Sequence, residues 1–288
     1  MTQSTNRPRL LSRTVLPRII LIALTIGALL AVKAYYDTMR DPVVERLSIT
    51  SAALPQGSAP VRIALLADIH VAGPDMPPSR LAEIVAQVNA LEPDLIAIAG
   101  DLVSEKRTAT RIYSAQDIVE PLGQLSAPLG VVMVPGNHDH WFDWDGLSQQ
   151  LAQYPQITVL ANSAAQFGPL AVGGVDDDFT GRADVGATIE QMAGLSGPRV
   201  MVTHSPDIFP SVPTNVDLIL AGHTHCGQIG YPWGGAPATM SDYGAKYACG
   251  VVEQNGKTLV TSAGLGTSLL PIRLFTAPEV WLIDVGAE

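Results

Sequence analysis

Apolar residues are distributed along this chain in two ways. The first is one unbroken run, Ile19 to Val32, held between Arg18 and Lys33 and preceded by Arg7, Arg9 and Arg13. At fourteen residues it falls short of the roughly 20 a spanning helix needs and sits within the roughly 7 to 15 of a signal-peptide core. Val15-Leu16 before it and Ala34-Tyr35-Tyr36 after it lengthen the span, because both flanking cations can snorkel and tyrosines suit the interface. The pattern favours an uncleaved anchor over about 15–36: Val32 and Ala34 make an acceptable but weak cleavage site, and no Arg-Arg pair marks twin-arginine export. Basic residues ahead of the span place the N-terminus in the cytoplasm and the body on the outer side.

The second kind of run is short, rich in β-branched residues and repeated. Val61–Ala67, Leu95–Ala99 and Val131–Val134 read as strands, separated by helical patterns at Ser79–Leu91 and around Ser114–Leu125. Leu81, Ile84, Val85 and Val88 recur at helical spacing, with Ser79 as candidate N-cap. Strand, helix, strand in succession implies parallel pairing. Further on, strands dominate: Thr158–Ala161, Leu170–Val175, Val200–Thr203, Leu218–Ala221, Thr258–Ser262 and Val280–Val285. The segment 41–60, with Pro42, Pro55, Gly57 and Pro60, reads as a lead-in containing an edge strand at Val43 to Thr50. The division expected is therefore a basic tail and anchor over 1–40, the lead-in, and one α/β domain over 61–288.

Charge sharpens this division. Residues 1–46 carry seven Lys/Arg against three Asp/Glu, and the rest of the chain ten against twenty-four. So acidic a body excludes a nucleic-acid partner, which needs a basic face to displace counterions. The only cysteines, Cys226 and Cys249, allow at most one bridge and leave the redox compartment open. Cys226 follows His225 and is read as a small buried residue rather than a sulfur ligand.

The acids and histidines gather into five clusters: Asp68-Ile69-His70, Gly100-Asp101, Gly136-Asn137-His138-Asp139, Thr203-His204 and Gly222-His223-Thr224-His225. Each follows an apolar strand, so the clusters fall at strand ends, where open α/β sheets bind ligands. Residues two apart in extended chain share a side, which aligns Asp68 with His70 and His223 with His225. A lone histidine is more often structural. Five clusters in order at strand ends instead indicate enough ligands for two ions, and mixed oxygen and imidazole donors suit Mn, Fe, Zn or Ni.

These motifs resemble the calcineurin-like metallophosphoesterase superfamily, whose signature D-x-H, G-D, G-N-H-[DE], H, G-H-x-H is complete between Val61 and Asp284. The resemblance implies a four-layer β-sandwich of two mixed sheets flanked by helices, so parallel pairing should hold for only part of it. It further implies a first ion on Asp68, His70, Asp101 and His225, and a second on Asp101 as bridge, Asn137, His204 and His223. His138 would face the substrate phosphate, with Asp139 orienting its ring. The wording around Gly222–Ile229, Gly264–Ser268, Leu270–Arg273 and Pro278-Glu279 is similar to a membrane-associated bacterial group that includes enzymes cleaving UDP-2,3-diacylglucosamine in lipid A synthesis; many relatives have Gly at position 226. That branch implies a bacterial inner or cell membrane location and a phosphorylated small-molecule or lipid substrate.

Two ions about 3.5–4 Å apart lower the pKa of a bridging water, so hydroxide can attack phosphorus directly and no Ser or Cys nucleophile is needed. Lesser candidates surround the site. Lys106, Arg107 and Arg111 could hold a diphosphate or form a solvated basic loop, and Arg273 could touch substrate. The aromatic stretch His140–Trp144 could meet an acyl chain or a base, or pack in the core. Asp176-Asp177-Asp178 reads as an acidic loop rather than a third cation site. The rival to an enzyme is a membrane-tethered binding module, a reading disfavoured because no ligand position is lost.

Overall fold

A computed structural model describes residues 15–288; Arg7, Arg9 and Arg13 of the basic tail lie outside the described residues. Helix α1 (Val15–Met39) contains the long apolar run, and its most apolar stretch is fully exposed, unlike a core helix of a soluble fold. Only the last turns touch the body, through buried Ala34, Asp37 and Thr38.

Strand β1 (Val43–Ser51) follows at once and lies parallel to β12 (Glu279–Ala287), from Val43 opposite Glu279 to Ser51 opposite Ala287. The lead-in expected over 41–60 therefore contributes a full edge strand, and the sheet begins before Val61. The rest of this sheet is β2 (Val61–Leu66), β3 (Leu95–Ala99), β4 (Val131–Val134) and β5 (Ile157–Val159), in the order β1-β12-β2-β3-β4-β5. Strands β2 to β5 are parallel, while β12 runs antiparallel to β2. The second sheet has the order β10-β11-β9-β8-β7-β6, with β6 (Ser163–Phe167), β7 (Leu170–Gly174), β8 (Arg199–Val202), β9 (Leu218–Ala221), β10 (Gly250–Gln254) and β11 (Lys257–Thr261). Its centre is parallel and its two edges are antiparallel hairpins. Both sheets are thus mixed.

Burial on both faces explains why the central strands read as unbroken apolar runs. Ile63, Leu65, Ala97, Val132 and Val134 meet Val172, Val200, Val202, Leu218 and Leu220 in the layer between the sheets. Outside the first sheet, Ala64, Leu66, Ile96 and Ile98 pack under α2 (Pro78–Asn89), α3 (Ala115–Leu122) and α4 (Asn137–Leu151). Outside the second, Met201, Ile219 and Leu259 pack with Met192 of α5 (Val185–Met192) and Phe209 of the 3-10 turn Pro206–Ser211.

Helix α2 buries Leu81, Ile84, Val85 and Val88 as their spacing predicts, but Ser79 does not cap it. Pro78 is the first helical residue and Pro77 the cap, because proline's fixed φ is already helical and its missing N–H costs nothing at that position. Helix α3 is capped by Ser114, whose hydroxyl accepts from the Asp117 N–H while Asp117 accepts back from Ser114. Parallel β2, β3 and β4 in one sheet and β8 and β9 in the other end close together, and all five motif clusters begin within three residues of those ends.

Candidate metal centre

Backbone conformation at the strand ends is the first sign of a built site. Asp68, His70, Asp101, His223 and His225 all have positive φ, between 49° and 70°. Left-handed backbone costs a non-glycine residue on the order of 1 kcal/mol or more, and such strain concentrates where side chains must be aimed. Glycines make room for the crowding. A Cβ on Gly136 would collide with the Asp101 carboxylate, and one on Gly100, at φ +76°, would fall 2.7 Å from His204 Nδ1.

The side chains converge in two linked groups. In one, His70 Nε2 lies 3.0 Å from His225 Nε2 and 3.4 Å from Asp101 Oδ2, and His225 Nε2 lies 3.5 Å from Asp68 Oδ1. In the other, His204 Nε2 is 3.0 Å from Asn137 Oδ1, 3.2 Å from His223 Nδ1 and 3.2 Å from Asp101 Oδ2. Asp101 Oδ2 therefore stands between the groups, while its Oδ1 accepts the His138 N–H at 2.8 Å. Asp68 is held by the His223 N–H, at 3.0 and 2.9 Å from its two oxygens.

Hydrogen bonds on the far side of each ring decide what faces inward. His70 Nδ1 donates to the Val103 carbonyl at 3.1 Å and His204 Nδ1 to the Ala99 carbonyl at 2.8 Å. In the neutral ring this leaves the Nε2 lone pair of each pointed at other acceptors, an arrangement that suits a cation in their midst. The donor set of imidazole nitrogen, carboxylate and amide oxygen matches a first-row divalent ion. The residues present fit a pair of such ions.

Titration follows the same field. Burial holds His70 and His225 well below the ordinary histidine value, and burial with the neighbouring His204 pushes His223 down to about 4. These three rings are neutral at pH 7 and free to ligate. Burial lifts Asp68 to about 7, reinforced by Asp101 and opposed by His204. Burial would also lift Asp101, but His204 and His70 overcome it and hold this carboxyl far below its usual range. His204 shows the reciprocal effect: burial opposes its charge, yet Asp101 raises it to about 10.

His138 lies apart from the hydrogen-bonded ligand shell. Its ring packs edge-on against His70, at 4.9 Å, and Trp141, at 5.0 Å. Nε2 is 3.5 Å from Ser268 Oγ, and Nδ1 is buried without a hydrogen-bond partner, 3.8 Å from Glu105 Oε1. Asp139 does not orient this ring, contrary to the expectation from the motif. Its carboxylate is buried and turned back under the loops, where Oδ2 accepts from Asp101 N and Gly136 N at 2.9 Å and Oδ1 from Leu102 N at 2.8 Å. As the third residue of α4 it caps that helix and holds the Gly100-Asp101 turn against it.

The lesser candidates separate cleanly. Lys106 is neither a solvated lysine nor a diphosphate ligand; it is buried in an ion pair with Asp75 and donates to Thr267 Oγ1 at 2.9 Å. Arg107 and Arg111 are exposed. Arg273 cannot touch substrate: it is fully buried, and its guanidinium donates to the carbonyls of Ala263, Gly264 and Gly266 at 2.6–3.0 Å. That brace matters because Gly264 and Gly266 pack directly on Asp68, Ile69 and His70. Trp141 is half exposed beside the site, whereas Phe142 and Trp144 pack on the core. Of the acidic loop, Asp176 Oδ1 pairs with His140 Nε2 at 2.7 Å, and Asp177 accepts from the Thr180 N–H. Cys226 is bonded to Cys249 and is no free thiol.

A cleft of about 410 Å³ opens over the ligands. Its floor is Asp101, Asn137, His138, His223 and His225, and its walls are mainly apolar, with Trp141, Phe179, Ile229, Met240, Leu269 and Leu270. Of these walls the sequence offered only Trp141, within the aromatic stretch His140–Trp144; nothing in the local pattern of the others distinguishes an exposed apolar residue at a cleft from one in a loop.

Residues 61–227 match the family Calcineurin-like phosphoesterase. A putative metallophosphoesterase of Caenorhabditis elegans is 34% identical over 237 residues, covering 74% of this chain and 46% of its own length. A transmembrane protein with metallophosphoesterase domain from Danio rerio is 31% identical, covering 90% of this chain and 61% of its own length. An uncharacterized metallophosphoesterase of Bacillus subtilis is 28% identical, covering 90% and 92%. The chain thus spans about half of the first relative and under two thirds of the second. It belongs to the calcineurin-like phosphoesterase family.

Proposed function

We propose that the chain is a membrane-anchored hydrolase of phosphoester or phosphoanhydride bonds that works with two divalent ions and acts on a substrate with an apolar part. The observation that carries this reading is the convergence of Asp68, His70, Asp101, Asn137, His204, His223 and His225 at the floor of a cleft whose walls are apolar. Asp68, His70, Asp101 and His225 would hold one ion, and Asp101, Asn137, His204 and His223 the other, with Asp101 shared. Such a pair activates water and neutralises charge on the phosphoryl oxygens. Water adds its oxygen to phosphorus, the bond to the leaving oxygen breaks, and that oxygen takes up a proton. We assign delivery of that proton to His138, which lines the cleft beside the ligand candidates.

The proposed chemistry accommodates either of two substrates. One is a lipid-linked nucleotide diphosphate sugar such as UDP-2,3-diacylglucosamine, favoured by the resemblance around Gly222–Ile229 and by the apolar walls. The other is an envelope phosphodiester, favoured by the Cys226–Cys249 bond, since disulfides persist in oxidising compartments and UDP-sugars are made in the cytoplasm. The disulfide and the charge bias of the N-terminal segment together support an outward-facing body.

The deciding experiment uses full-length protein in detergent with bis(p-nitrophenyl) phosphate. Hydrolysis that requires added Mn or a similar ion and stops on chelation supports the reading, and turnover after complete metal removal overturns it. Comparing UDP-2,3-diacylglucosamine with a phospholipid diester then separates the two substrates, and an alkaline phosphatase fusion at the C-terminus reports the side of the membrane.

A further inference from the structure

The mouth of the cleft carries more exposed apolar surface than a water-facing site requires. Leu269, 71% exposed, and Leu270 line the cleft, and the exposed Tyr231 and Trp233, the latter 80% exposed, lie in the turn between its lining residues Ile229 and Pro237. Tyr231 and Trp233 stack in parallel at 5.3 Å on the tip of a tight turn closed by Tyr231 N donating to Gly235 O at 2.8 Å. Single exposed apolar residues are ordinary; a group of them around one opening marks an interaction surface.

This surface is fastened to the foot of the apolar helix. Gly230 N donates to Leu274 O at 2.8 Å, and Leu274 N to Gln228 O at 3.1 Å, tying the turn to segment 270–275. The Gln228 amide also donates to the carbonyls of Leu270 and Ile272, both at 2.9 Å. That segment is bound in turn to α1: Arg273 N donates to Thr38 Oγ1 at 2.7 Å, and Phe275 N to Asp37 Oδ2 at 2.9 Å. Lys33 lies over the Phe275 ring and pairs with Asp37. No flexible linker separates the anchor from the cleft mouth. The rim is held within a few residues of the point where the helix leaves its apolar stretch.

We infer that the Tyr231–Gly235 turn and Leu269-Leu270 are a membrane-docking surface, seated in the headgroup layer of the same bilayer that holds α1, with the cleft opening onto that layer. Tryptophan and tyrosine are the residues that favour this depth, and exposed Leu269 and Leu270 supply further apolar area. The occupant is the lipid bilayer rather than a protein, because the surface is continuous with a helix whose own apolar side chains are exposed all round. A substrate lying in the membrane would then reach the metal floor without leaving the lipid layer. The inference rests on the membrane-anchored reading above, and its test does not depend on turnover.

Full-length protein is reconstituted at one copy per lipid nanodisc, with or without lipids brominated on the acyl chain near the headgroup, for the native chain and for Trp233→Phe. The four tryptophans are Trp141, Trp144, Trp233 and Trp281, none of them in the anchor, so the difference between the two proteins isolates Trp233. The Trp233 component should be blue-shifted and lose roughly half or more of its intensity to bromine, as an interfacial indole does. An unquenched Trp233 component in correctly incorporated protein overturns the inference. So does one that shifts only when two copies share a disc, which would assign the surface to a second copy of the chain. Failure to incorporate at all would instead refute the anchor. As a second reading, Trp233→Ser should leave hydrolysis of soluble bis(p-nitrophenyl) phosphate unchanged and lower hydrolysis of a disc-embedded p-nitrophenyl phospholipid several-fold. Equal rates on the embedded substrate would also count against it.

Discussion

The Asp139 carboxylate accepts the backbone N–H of Asp101 at 2.9 Å, so the residue standing between the two ligand groups owes its position to an acid that touches neither. The same Oδ2 accepts from Gly136 N, and Oδ1 from Leu102 N. Asp139→Asn replaces one of these acceptors with a donor that faces an N–H. The variant should lose about 1–3 kcal/mol of stability, the cost of leaving buried donors unpaired, and bind metal more weakly. Chemical denaturation and elemental analysis check both. Its dependence on leaving group should match the native enzyme; a changed dependence would restore the role of Asp139 as an orienter of His138.

Metal uptake should strengthen as pH rises through about 7. Asp68, lifted by burial to about 7, is largely protonated below that pH, and a proton on a ligand competes with the ion. His204, raised to about 10 mainly by Asp101 against its own burial, must also give up a proton, at any pH in the working range. Binding therefore releases protons, and apparent affinity climbs with pH, most steeply below about 7, where both Asp68 and His204 must lose one. Calorimetry of Mn binding in two buffers of different ionisation enthalpy, between pH 6 and 8, measures the number released. Affinity independent of pH, with no protons released, would contradict this account.

Cys226 has φ +51°, in the region glycine favours, and sits between the ligand candidate His225 and Gly227. Its bond to Cys249, 23 residues on, holds a turn in which His225, Cys226, Gly227 and Gln228 all have positive φ. Cys249→Ser, or reduction, should cost about 2–4 kcal/mol by the loop-entropy account. Because the same turn aims His225, metal affinity should fall with it. A melting curve and a metal titration on reduced protein test both; unchanged affinity would mean that the turn holds its shape without the bridge.

Much of the fold was legible because its strands are buried on both faces and its motifs fall at strand ends. Leu95–Ala99 and Leu218–Ala221 coincide with the expected strands residue for residue. Elements that escaped notice lack that signal. Helix α4 has its periodicity broken by Asp143, whose φ of −171° is not helical. Strand β6, Ser163–Phe167, has no β-branched residue and exists because it pairs with β7. Strand β10 was signalled by Asn255-Gly256, a favoured hairpin turn with both residues at positive φ, and could have been found. The ligand candidates were visible as motifs, but what supports them was not. Arg273 braces the glycine loop behind Asp68 through carbonyl contacts that no sequence pattern encodes.

Anchor removal should depend sharply on where the cut is made. The sequence alone suggests that everything through Arg40 is dispensable. Thr38 and Asp37, however, accept the N–H groups of Arg273 and Phe275, and Arg80 donates to the carbonyls of Thr38 and Arg40 at 2.8 and 3.1 Å. A chain starting at Lys33 keeps these partners and should hydrolyse a soluble diester at the native rate. One starting at Asp41 leaves the buried N–H of Arg273 and the partly buried N–H of Phe275 without these partners, and should melt earlier and bind metal less tightly through the Arg273 brace. Thermal unfolding and metal content of the two truncations distinguish the cases; identical behaviour would show that the last turns of α1 are not part of the fold.

His138 offers the strictest test of how the proposed work is divided. If it delivers a proton to the leaving oxygen and binds no ion, His138→Gln should keep full metal content and substrate affinity while turnover falls about 10²–10⁴-fold, the usual scale for a general acid. The loss should be smaller with p-nitrophenolate, a leaving group that hardly needs a proton, than with an alkyl or sugar oxygen. Were His138 only to stabilise charge on the phosphoryl oxygens, both substrates would slow alike. The structure leaves a third outcome open to measurement, since His70, Asp101 and His138 also come close enough together to share an ion. Loss of one metal equivalent from His138→Gln would make the ring a ligand. The edge-on packing of His138 against His70 and Trp141, outside the hydrogen-bonded ligand shell, favours the proton donor, and elemental analysis of this one variant decides between them.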